Sequence, residues 1–517
     1  MAFPVDLRRC QALGLAGTAF LALGGETAGA LPVEDLVSPE SGRAALGLVG
    51  VYFGVVLLIA AWALLGRVIR GPEPPTPRAL LLVLATWAAP LLLAPPLFSR
   101  DVYSYLAQGA MVHAHLDVYA HGPAQLGGPL ADEVAPVWRD TAAPYGPVFL
   151  VVASALSGLT RGELPAGLLG MRLVALLGVA LMAFALPRLA KHCGADPAAA
   201  LWLGALNPLV LLHLVAGAHN DAVMLGLLGM GLLGTVRSSP AASRRPARTP
   251  AAPAERPSSS ATRAFVRHAD PTHRTPLLLP RADSGQSPAA RGRLHVLGAV
   301  LVTLAALVKA PAALGLLAVI ALRRNVGVVR ATVTTTVVAL ATTAAATAVA
   351  GTGYGWIAAL KTPVSPHNWS PTSVLGRLTG RMLDGLGSDL APLAEPAWHA
   401  VGIAATAIAV LVIWVKLRPA PVYALGLSLA VVAVLGPAIR PWYALWGLFL
   451  IAAAAPSTSV RHRVAAATAV LALAVLPSGG PPDLAQVVLA VSGGLLAVVV
   501  LWQAHQAAQT AVLGRTA

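Results

Sequence analysis

Four short polar clusters interrupt an otherwise apolar chain, and they contain the residue types that could do chemistry. The clusters are Ser99-Arg100-Asp101-Val102-Tyr103-Ser104-Tyr105, His219-Asn220-Asp221, Lys309-Ala310-Pro311 and Arg440-Pro441-Trp442-Tyr443. A carboxylate such as Asp101 can accept a proton as a general base, and cations such as Lys309 and Arg440 can hold a phosphate. Together these residue types predict proton abstraction beside a bound phosphate group.

The composition of the remaining chain predicts how these clusters are held. Of 517 residues, 57% are hydrophobic and only 11% are charged, which is unlike any soluble globular domain. A bilayer core about 30 Å thick needs about 20 apolar residues per helix, and such stretches recur as far as Trp502. We therefore predict an all-α polytopic membrane protein with about 13–15 transmembrane or re-entrant helices.

The net charge of +15 indicates orientation and not a nucleic-acid partner, because the basic residues lie in short segments between apolar runs. Basic loops face the cytoplasm. The segments that this rule places inside are 67–78, 188–192, 237–293, 323–330, 416–418 and 461–463.

One arrangement of spans satisfies nearly all of these placements. The spans lie near 10–31, 44–66, 79–98, 165–187, 198–218, 222–236, 294–309, 311–322, 331–351, 400–415, 420–439, 443–456, 464–477 and 484–504. Residues 146–160 are predicted to form a short re-entrant or juxtamembrane helix. This keeps Arg172 near the outer interface and away from the bilayer centre, where a charge costs about 3 kcal/mol or more.

The spans predict five regions along the chain. The segment 237–293 is rich in Pro, Ser, Ala and Arg and is predicted to be a disordered cytoplasmic linker without a catalytic role. Its arginines could alternatively lie on anionic lipid head groups. The regions are N-terminal transmembrane helices at 1–78, a catalytic core at 79–236 with an external loop at 99–145, the linker 237–293, a C-terminal transmembrane region at 294–504 with an external loop at 352–399, and a cytoplasmic tail at 505–517.

The basic loops alone fix this topology, yet it places the charged and polar residues of all four clusters on the outer face. On a helix that starts at Asp101, three further polar residues fall within a sector of roughly 60° and form one polar face, namely Ser104, Gln108 and His115. The convergence predicts an active site. Three of the clusters have a simpler interpretation when taken alone: an amphipathic helix on the outer leaflet for the Asp101 cluster, a snorkelling Lys309, and an aromatic belt at Trp442 and Tyr443.

The sequence contains no loop for a nucleotide phosphate and no dinucleotide fingerprint. A sugar donor that is activated by a lipid phosphate on the outer leaflet would not require a nucleotide-binding motif. His219 and Asp221 are too few to predict a metal site, so we expect neither a metal nor a cofactor.

The ordered motifs closely resemble those of the polyprenyl-phosphomannose-dependent α-(1→6)-mannosyltransferases of the Mpt type. Besides the four clusters, the resemblance includes Gln108-Gly109, Tyr145-Gly146-Pro147 and Asn207-Pro208-Leu209, and it runs from about residue 80 to residue 450. It implies the GT-C superfold and elongation of the α-(1→6)-mannan core of actinobacterial lipomannan and related lipoglycans. The linker is not part of the family pattern.

The resemblance implies that Asp101 is the catalytic base in an inverting transfer from polyprenyl-phosphate-mannose to a mannosylated lipid acceptor. Lys309 and Arg440 would bind the donor phosphate, and His219 and Asn220 would assist there or hold sugar hydroxyls. The residues expected to bind the sugars are Tyr443, Trp442, Trp369, Tyr105 and His367. The enzyme would be a multi-pass protein of the plasma membrane, surrounded by membrane lipids, with its active site on the extracytoplasmic side.

Three alternatives remain open from the sequence. A secondary transporter would show repeated halves with broken helices, and the sequence shows no such repeat. A flippase or a non-catalytic polymerase partner fits the hydropathy equally well, and only the Asp101 cluster argues against it. A GT-C transferase that uses an arabinosyl or glucosyl lipid donor would have nearly the same sequence features.

Overall fold

The computed structural model describes residues 6–32, 41–238, 287–359, 368–455 and 457–516, and within these ranges the regular elements are all helices. Most of the linker predicted at 237–293 and the predicted sugar-binding residue His367 lie outside the described residues. In the first half the helices are α1 (Leu7–Ala28), α2 (Gly42–Ile69), α3 (Pro77–Ala88), α4 (Asp101–His113), α5 (Gly128–Asp132), α6 (Pro136–Arg139), α7 (Pro147–Thr160), α8 (Leu164–Cys193), α9 (Pro197–Gly204) and α10 (Asp221–Ser238).

The second half continues with α11 (Pro288–Ala306), α12 (Gly315–Leu322), α13 (Val328–Ala350), α14 (Trp356–Ala359), α15 (Pro371–Gly385), α16 (Ala394–Lys416), α17 (Pro421–Leu435), α18 (Ala444–Ala454), α19 (Thr458–Leu471) and α20 (Leu484–Thr516). Single turns of 3-10 helix lie at Pro90–Leu92, Pro123–Gln125, Ala310–Leu314, Arg324–Val326, Ala391–Leu393 and Pro441–Tyr443, and a π-helix lies at Val210–Ala216.

The lengths of the apolar helices confirm an all-α polytopic membrane protein. Seven helices in the described ranges are long and apolar enough to cross a bilayer, and they correspond to α2, α8, α10, α11, α13, α16 and α20. Shorter apolar helices of 10–17 residues lie at Pro77–Ala88, Pro147–Thr160, Ala310–Leu322, Pro421–Leu435 and Pro441–Ala454.

The span predicted at 198–218 is interrupted in its middle. Helix α9 ends at Gly204, residues 205–207 are not helical, and the helix that resumes at Pro208 continues into the π-helix Val210–Ala216. Pro208 has no N–H to donate, and the Asn207 side chain bonds both the Leu209 N–H at 3.0 Å and the Thr468 hydroxyl at 2.9 Å. The Asn207 side chain thus accepts a hydrogen bond from a backbone N–H that has no helical partner at the break.

The predicted helix break at Pro311 and the predicted short helix at 146–160 are both present in the structure. Helix α11 ends at Ala306 and α12 begins at Gly315, so the predicted break at Pro311 is confirmed. Residues 147–160 form a separate short helix, α7. Its re-entrant placement in the membrane stays a prediction.

Helix α4 does not lie on the surface as an amphipathic helix. Residues 102–109 are all buried, although Asp101 itself is partly exposed. The helix ends at His113, and His115 lies beyond it with a left-handed φ of 58°. The predicted polar face therefore contains Asp101, Ser104 and Gln108, and the expectation that His115 belongs to it was wrong.

The Arg172 side chain is buried among helix ends, and its position near the outer interface of the membrane stays a prediction. Its guanidinium donates hydrogen bonds to the carbonyls of Leu92 (2.9 Å), Ala94 (2.6 Å) and Ala216 (3.2 Å). These carbonyls lie where helices are interrupted, so they are free to accept. A buried charge is tolerated when such bonds replace its hydration.

Two glycines allow the close backbone contacts that bring the polar clusters together. A Cβ at Gly178 in α8 would lie 2.3 Å from the carbonyl carbon of Ala222, in the first turn of α10. A Cβ at Gly146 would lie 2.2 Å from the carbonyl oxygen of Leu307. A larger residue at either position would push Asp221 or Lys309 away from its observed place.

Candidate active site

Asp101 is held at the start of α4 by the residues on either side of it. The Asp101 N–H donates to the Ser99 hydroxyl at 3.1 Å. The neighbouring Arg100 guanidinium donates to the Leu31 carbonyl at 2.7 Å and to the Glu133 carboxylate at 3.2 Å. These bonds fix the first turn of α4, and they leave the Asp101 side chain 25% exposed.

A cavity of about 440 Å³ opens beside Asp101 and joins three of the four predicted clusters. Asp101, Lys309, Arg440, Trp442 and Tyr443 all line it. The sequence had predicted these five residues for catalysis, phosphate binding and sugar binding. Its walls also include Ser104, Gln108, Trp138, Thr141, Tyr145, Asn368 and Trp446.

The predicted residues His219 and Tyr105 lie behind the cavity wall. The His219 Nδ1 atom is 3.6 Å from Asp101 Oδ2 and 3.2 Å from the Tyr105 hydroxyl. The imidazole also stacks on Trp442, with ring centroids 4.2 Å apart and planes 28° apart. His219 and Tyr105 therefore support the base and one aromatic wall from a fully buried position.

Lys309 has a counter-ion in Asp221, which the sequence predicted on the same outer face but to which no role was assigned. Its Nζ atom lies 2.8 Å from Asp221 Oδ2, and the Trp446 indole N–H donates to Oδ1 of the same carboxylate at 2.5 Å. The ammonium also lies 4.9 Å from the ring centroid of Tyr443. Asp221 is fully buried, so it fixes two wall residues without lining the cavity.

Arg440 differs from Lys309 in its partners. Within the part of the chain that the structure describes, no carboxylate lies within ion-pairing distance of its guanidinium. The segment before Arg440 is held by Asn368, whose side-chain oxygen accepts from the Ile439 N–H at 3.2 Å. The Ser370 and Ser373 hydroxyls donate to the Pro437 carbonyl at 2.8 and 2.9 Å.

Two further predicted site residues, Asn220 and Trp369, are not on the cavity wall. Asn220 is buried, and its side-chain atoms have no hydrogen-bond partner among the described residues. Trp369 is 47% exposed and follows Asn368, which does line the cavity. The roles assigned to Asn220, Trp369 and His367 stay predictions. Asn368 and Trp446 were missed, because nothing in their sequence neighbourhood indicates that distant helices bring them to Asp101.

The surroundings of Asp101 favour a base that is stronger than an ordinary carboxylate. Burial raises the pKa of its carboxyl group, and the positive charges of Arg440 and Lys309 lower that pKa only in part.

Within the described residues, no group of three or more His, Cys, Asp or Glu side chains could hold a metal ion. The arrangement can therefore take a proton beside an anionic group, with aromatic faces available for sugar rings.

A base, cations and aromatic walls around one cavity in a polytopic membrane protein are the features of a membrane-embedded glycosyltransferase. Comparison with known proteins agrees. A family model described as the N-terminal domain of α-(1→6)-mannopyranosyltransferase matches residues 11–325, and one described as the MptB C-terminal domain matches residues 372–503. The chain belongs to the α-(1→6)-mannopyranosyltransferase family and is a mannosyltransferase.

Similar relatives cover nearly the whole chain. An α-(1→6)-mannopyranosyltransferase of Mycobacterium tuberculosis is 36% identical over 96% of this chain and 87% of its own length. A probable enzyme of this name from Mycolicibacterium smegmatis is 34% identical over 96% and 88%. The α-(1→6)-mannopyranosyltransferase B of Corynebacterium glutamicum is 31% identical over 92% and 78%. No solved structure matches the chain.

Proposed function

We propose that this mannosyltransferase moves mannose from polyprenyl-phosphate-mannose to the α-(1→6)-mannan acceptor of lipomannan or a related lipoglycan, with inversion at the anomeric carbon. The observation that carries this proposal is the single cavity that joins Asp101 with Lys309 and Arg440. It offers a base for the acceptor and cations for a phosphate. The sequence has no loop for a nucleotide.

In the proposed reaction the 6-hydroxyl of the acceptor mannose loses its proton to a carboxylate oxygen of Asp101. The oxygen attacks the anomeric carbon of the β-linked donor from the face opposite the phosphate. A new α-(1→6) bond forms as the bond from the anomeric carbon to the phosphate oxygen breaks. The electron pair of the broken bond leaves with polyprenyl phosphate.

The cations would act on the leaving group, because negative charge grows on the phosphate as the glycosidic bond breaks. Fixed positive charges in a partly dehydrated cavity stabilise such charge more than water does. Among the described residues Arg440 has no carboxylate within ion-pairing distance, so its guanidinium is available for an incoming phosphate. Lys309 is already paired with Asp221, and it would add a donor hydrogen bond with less net charge.

The proposed position of the site in the cell rests on charge and hydropathy. The basic segments predict that the end of the protein with Asp101 faces the extracytoplasmic side of the plasma membrane. A GT-C fold would suit this placement, with polyprenyl-phosphate-mannose and a mannosylated lipid as its membrane partners. The reaction as written needs no cofactor.

The test is transfer by purified protein in lipid nanodiscs that contain radiolabelled polyprenyl-phosphate-mannose and a synthetic α-(1→6)-dimannoside. We expect labelled trimannoside, with no product from the matching arabinosyl or glucosyl lipid donors. Product formed from GDP-mannose without any lipid carrier would contradict the proposed donor. The Asp101→Asn variant in the same nanodiscs controls for transfer by co-purified enzymes.

A further inference from the structure

A second polar cavity lies at the far end of helix α4, which begins at Asp101. It has a volume of about 790 Å³, and no function has yet been assigned to it. His113, His115, Asp117 and Ser154 line it, together with the end of α13 and the turn that follows at 349–353. The two histidines and Asp117 are exposed, so the cavity is accessible from solvent.

The packed helices α4 and α7 extend from the active-site cavity to the second cavity. The Tyr105 ring packs against Phe149 with centroids 4.9 Å apart, and the backbone of Gly109 lies close to Ala153. Both helices therefore run in the same direction, away from the active-site cavity and towards the second one. From Asp101 to His113 the rise of α4 spans about 18 Å, which is more than one sugar ring.

The two cavities differ in charge. Lys309 and Arg440 line the first, but no lysine or arginine is among the described residues that line the second. The second cavity offers imidazoles, a carboxylate, hydroxyls and the last carbonyls of α13, which have no partner within the helix. This set suits a ligand with many hydroxyl groups and no phosphate.

We propose that the second cavity is a carbohydrate subsite, which binds the part of the mannan acceptor that lies beyond the residue being extended. This inference rests on the proposed function, which places the reacting end of the acceptor at Asp101. The remaining sugars must then continue past the active-site cavity. Helices α4 and α7 run from that cavity to the second one, where no lysine or arginine is among the described lining residues.

The geometry around the second cavity is fixed before a ligand arrives. The Asp117 carboxylate accepts hydrogen bonds from the N–H groups of Tyr119 (3.0 Å) and Ala120 (3.1 Å). The Tyr119 hydroxyl in turn donates to the carbonyl of Tyr145 at 3.0 Å, and Tyr145 lines the active-site cavity. Tyr119 therefore links Asp117 of the second cavity to Tyr145 of the first through two hydrogen bonds.

The test measures binding without turnover, by isothermal titration of the Asp101→Asn protein with α-(1→6)-linked mannobiose and mannohexaose. We expect the hexaose to bind about tenfold more tightly than the biose. Ser154→Leu, added to this background, fills the second cavity and should reduce the difference to about twofold or less, without changing binding of the biose. His113→Ala, an exposed change with little risk to folding, should weaken only the hexaose.

Two controls separate this effect from general damage. Ser154→Ala keeps the space and should retain most of the preference, and Ser492→Leu adds the same side chain on the exposed face of α20. Equal affinity for biose and hexaose would overturn the subsite, as would a preference that survives both Ser154→Leu and His113→Ala. If the proposed donor is wrong, the result is different: the wild-type enzyme does not transfer mannose from that donor, but the protein still binds the hexaose more tightly than the biose.

Discussion

The ammonium of Lys309 lies 2.8 Å from the Asp221 carboxylate, and that carboxylate has no exposed surface. Removing one member of such a pair leaves the other buried and unpaired, which costs about 3–5 kcal/mol. Removing both avoids that cost. The pair therefore makes a prediction about stability that is separate from catalysis.

We expect Asp221→Asn and Lys309→Met each to lower the free energy of unfolding strongly, and the double variant to lose much less than the sum of the two. The measurement is thermal unfolding of each purified protein in the same detergent. If the losses of unfolding free energy in the two single variants add up to the loss in the double variant, Lys309 and Asp221 do not stabilise each other. Asp483→Asn, at the exposed start of α20, is a control for loss of a carboxylate.

Arg440 should dominate recognition of the donor phosphate. Arg440→Ala is expected to raise the KM for polyprenyl-phosphate-mannose about tenfold or more, since a hydrogen bond to a charged group contributes about 1.5–3 kcal/mol. Arg440→Lys should restore little if the contact is bidentate, because an ammonium lacks the planar fork of a guanidinium. Steady-state kinetics at saturating acceptor measure both.

The matched control for these variants is Arg381→Ala, which removes an exposed arginine from α15. Lys309→Ala combined with Arg440→Ala should give a non-additive loss, because both residues would serve one phosphate. If both single variants kept normal donor kinetics, the phosphate would have to bind elsewhere.

The pH dependence of transfer should report the charge state of Asp101. A base must be deprotonated, so activity falls as the pH drops through its pKa. Burial raises that pKa above 3.8, so the acid limb of kcat/KM for the acceptor should have its midpoint above that value. Arg440→Gln removes a positive charge that lowers the pKa, and it should move the limb to higher pH. A limb that stays in place or moves to lower pH would mean that another group titrates.

The sequence predicted the membrane fold and much of the cavity because both depend on local patterns. Apolar length identified helices, and Pro311 marked a true break. Placing the clusters on one face was enough to bring Asp101, Lys309 and Arg440 together, because a cavity at one end of a helix bundle collects the residues at the ends of its helices.

Contacts between distant helices could not be predicted in this way. The pairing of Lys309 with Asp221 depends on how α10 packs on α11, which Gly231 allows because it lies close to Gly298 and Val302 of α11. The buried position of Arg172 depends on carbonyls freed at interruptions in other segments. His115 was misassigned because the helical pattern was continued past His113, where the backbone takes a left-handed conformation.

The central claim is that Asp101 is the base in mannose transfer from a polyprenyl phosphate. The most direct measurement is the single-turnover rate of mannose transfer from polyprenyl-phosphate-mannose to an α-(1→6)-dimannoside, for wild type and Asp101→Asn at equal amounts of folded protein. We predict that the variant unfolds at nearly the same temperature and that its rate falls by about two to four orders of magnitude. A folded Asp101→Asn protein that transfers mannose at close to the wild-type rate would contradict the account.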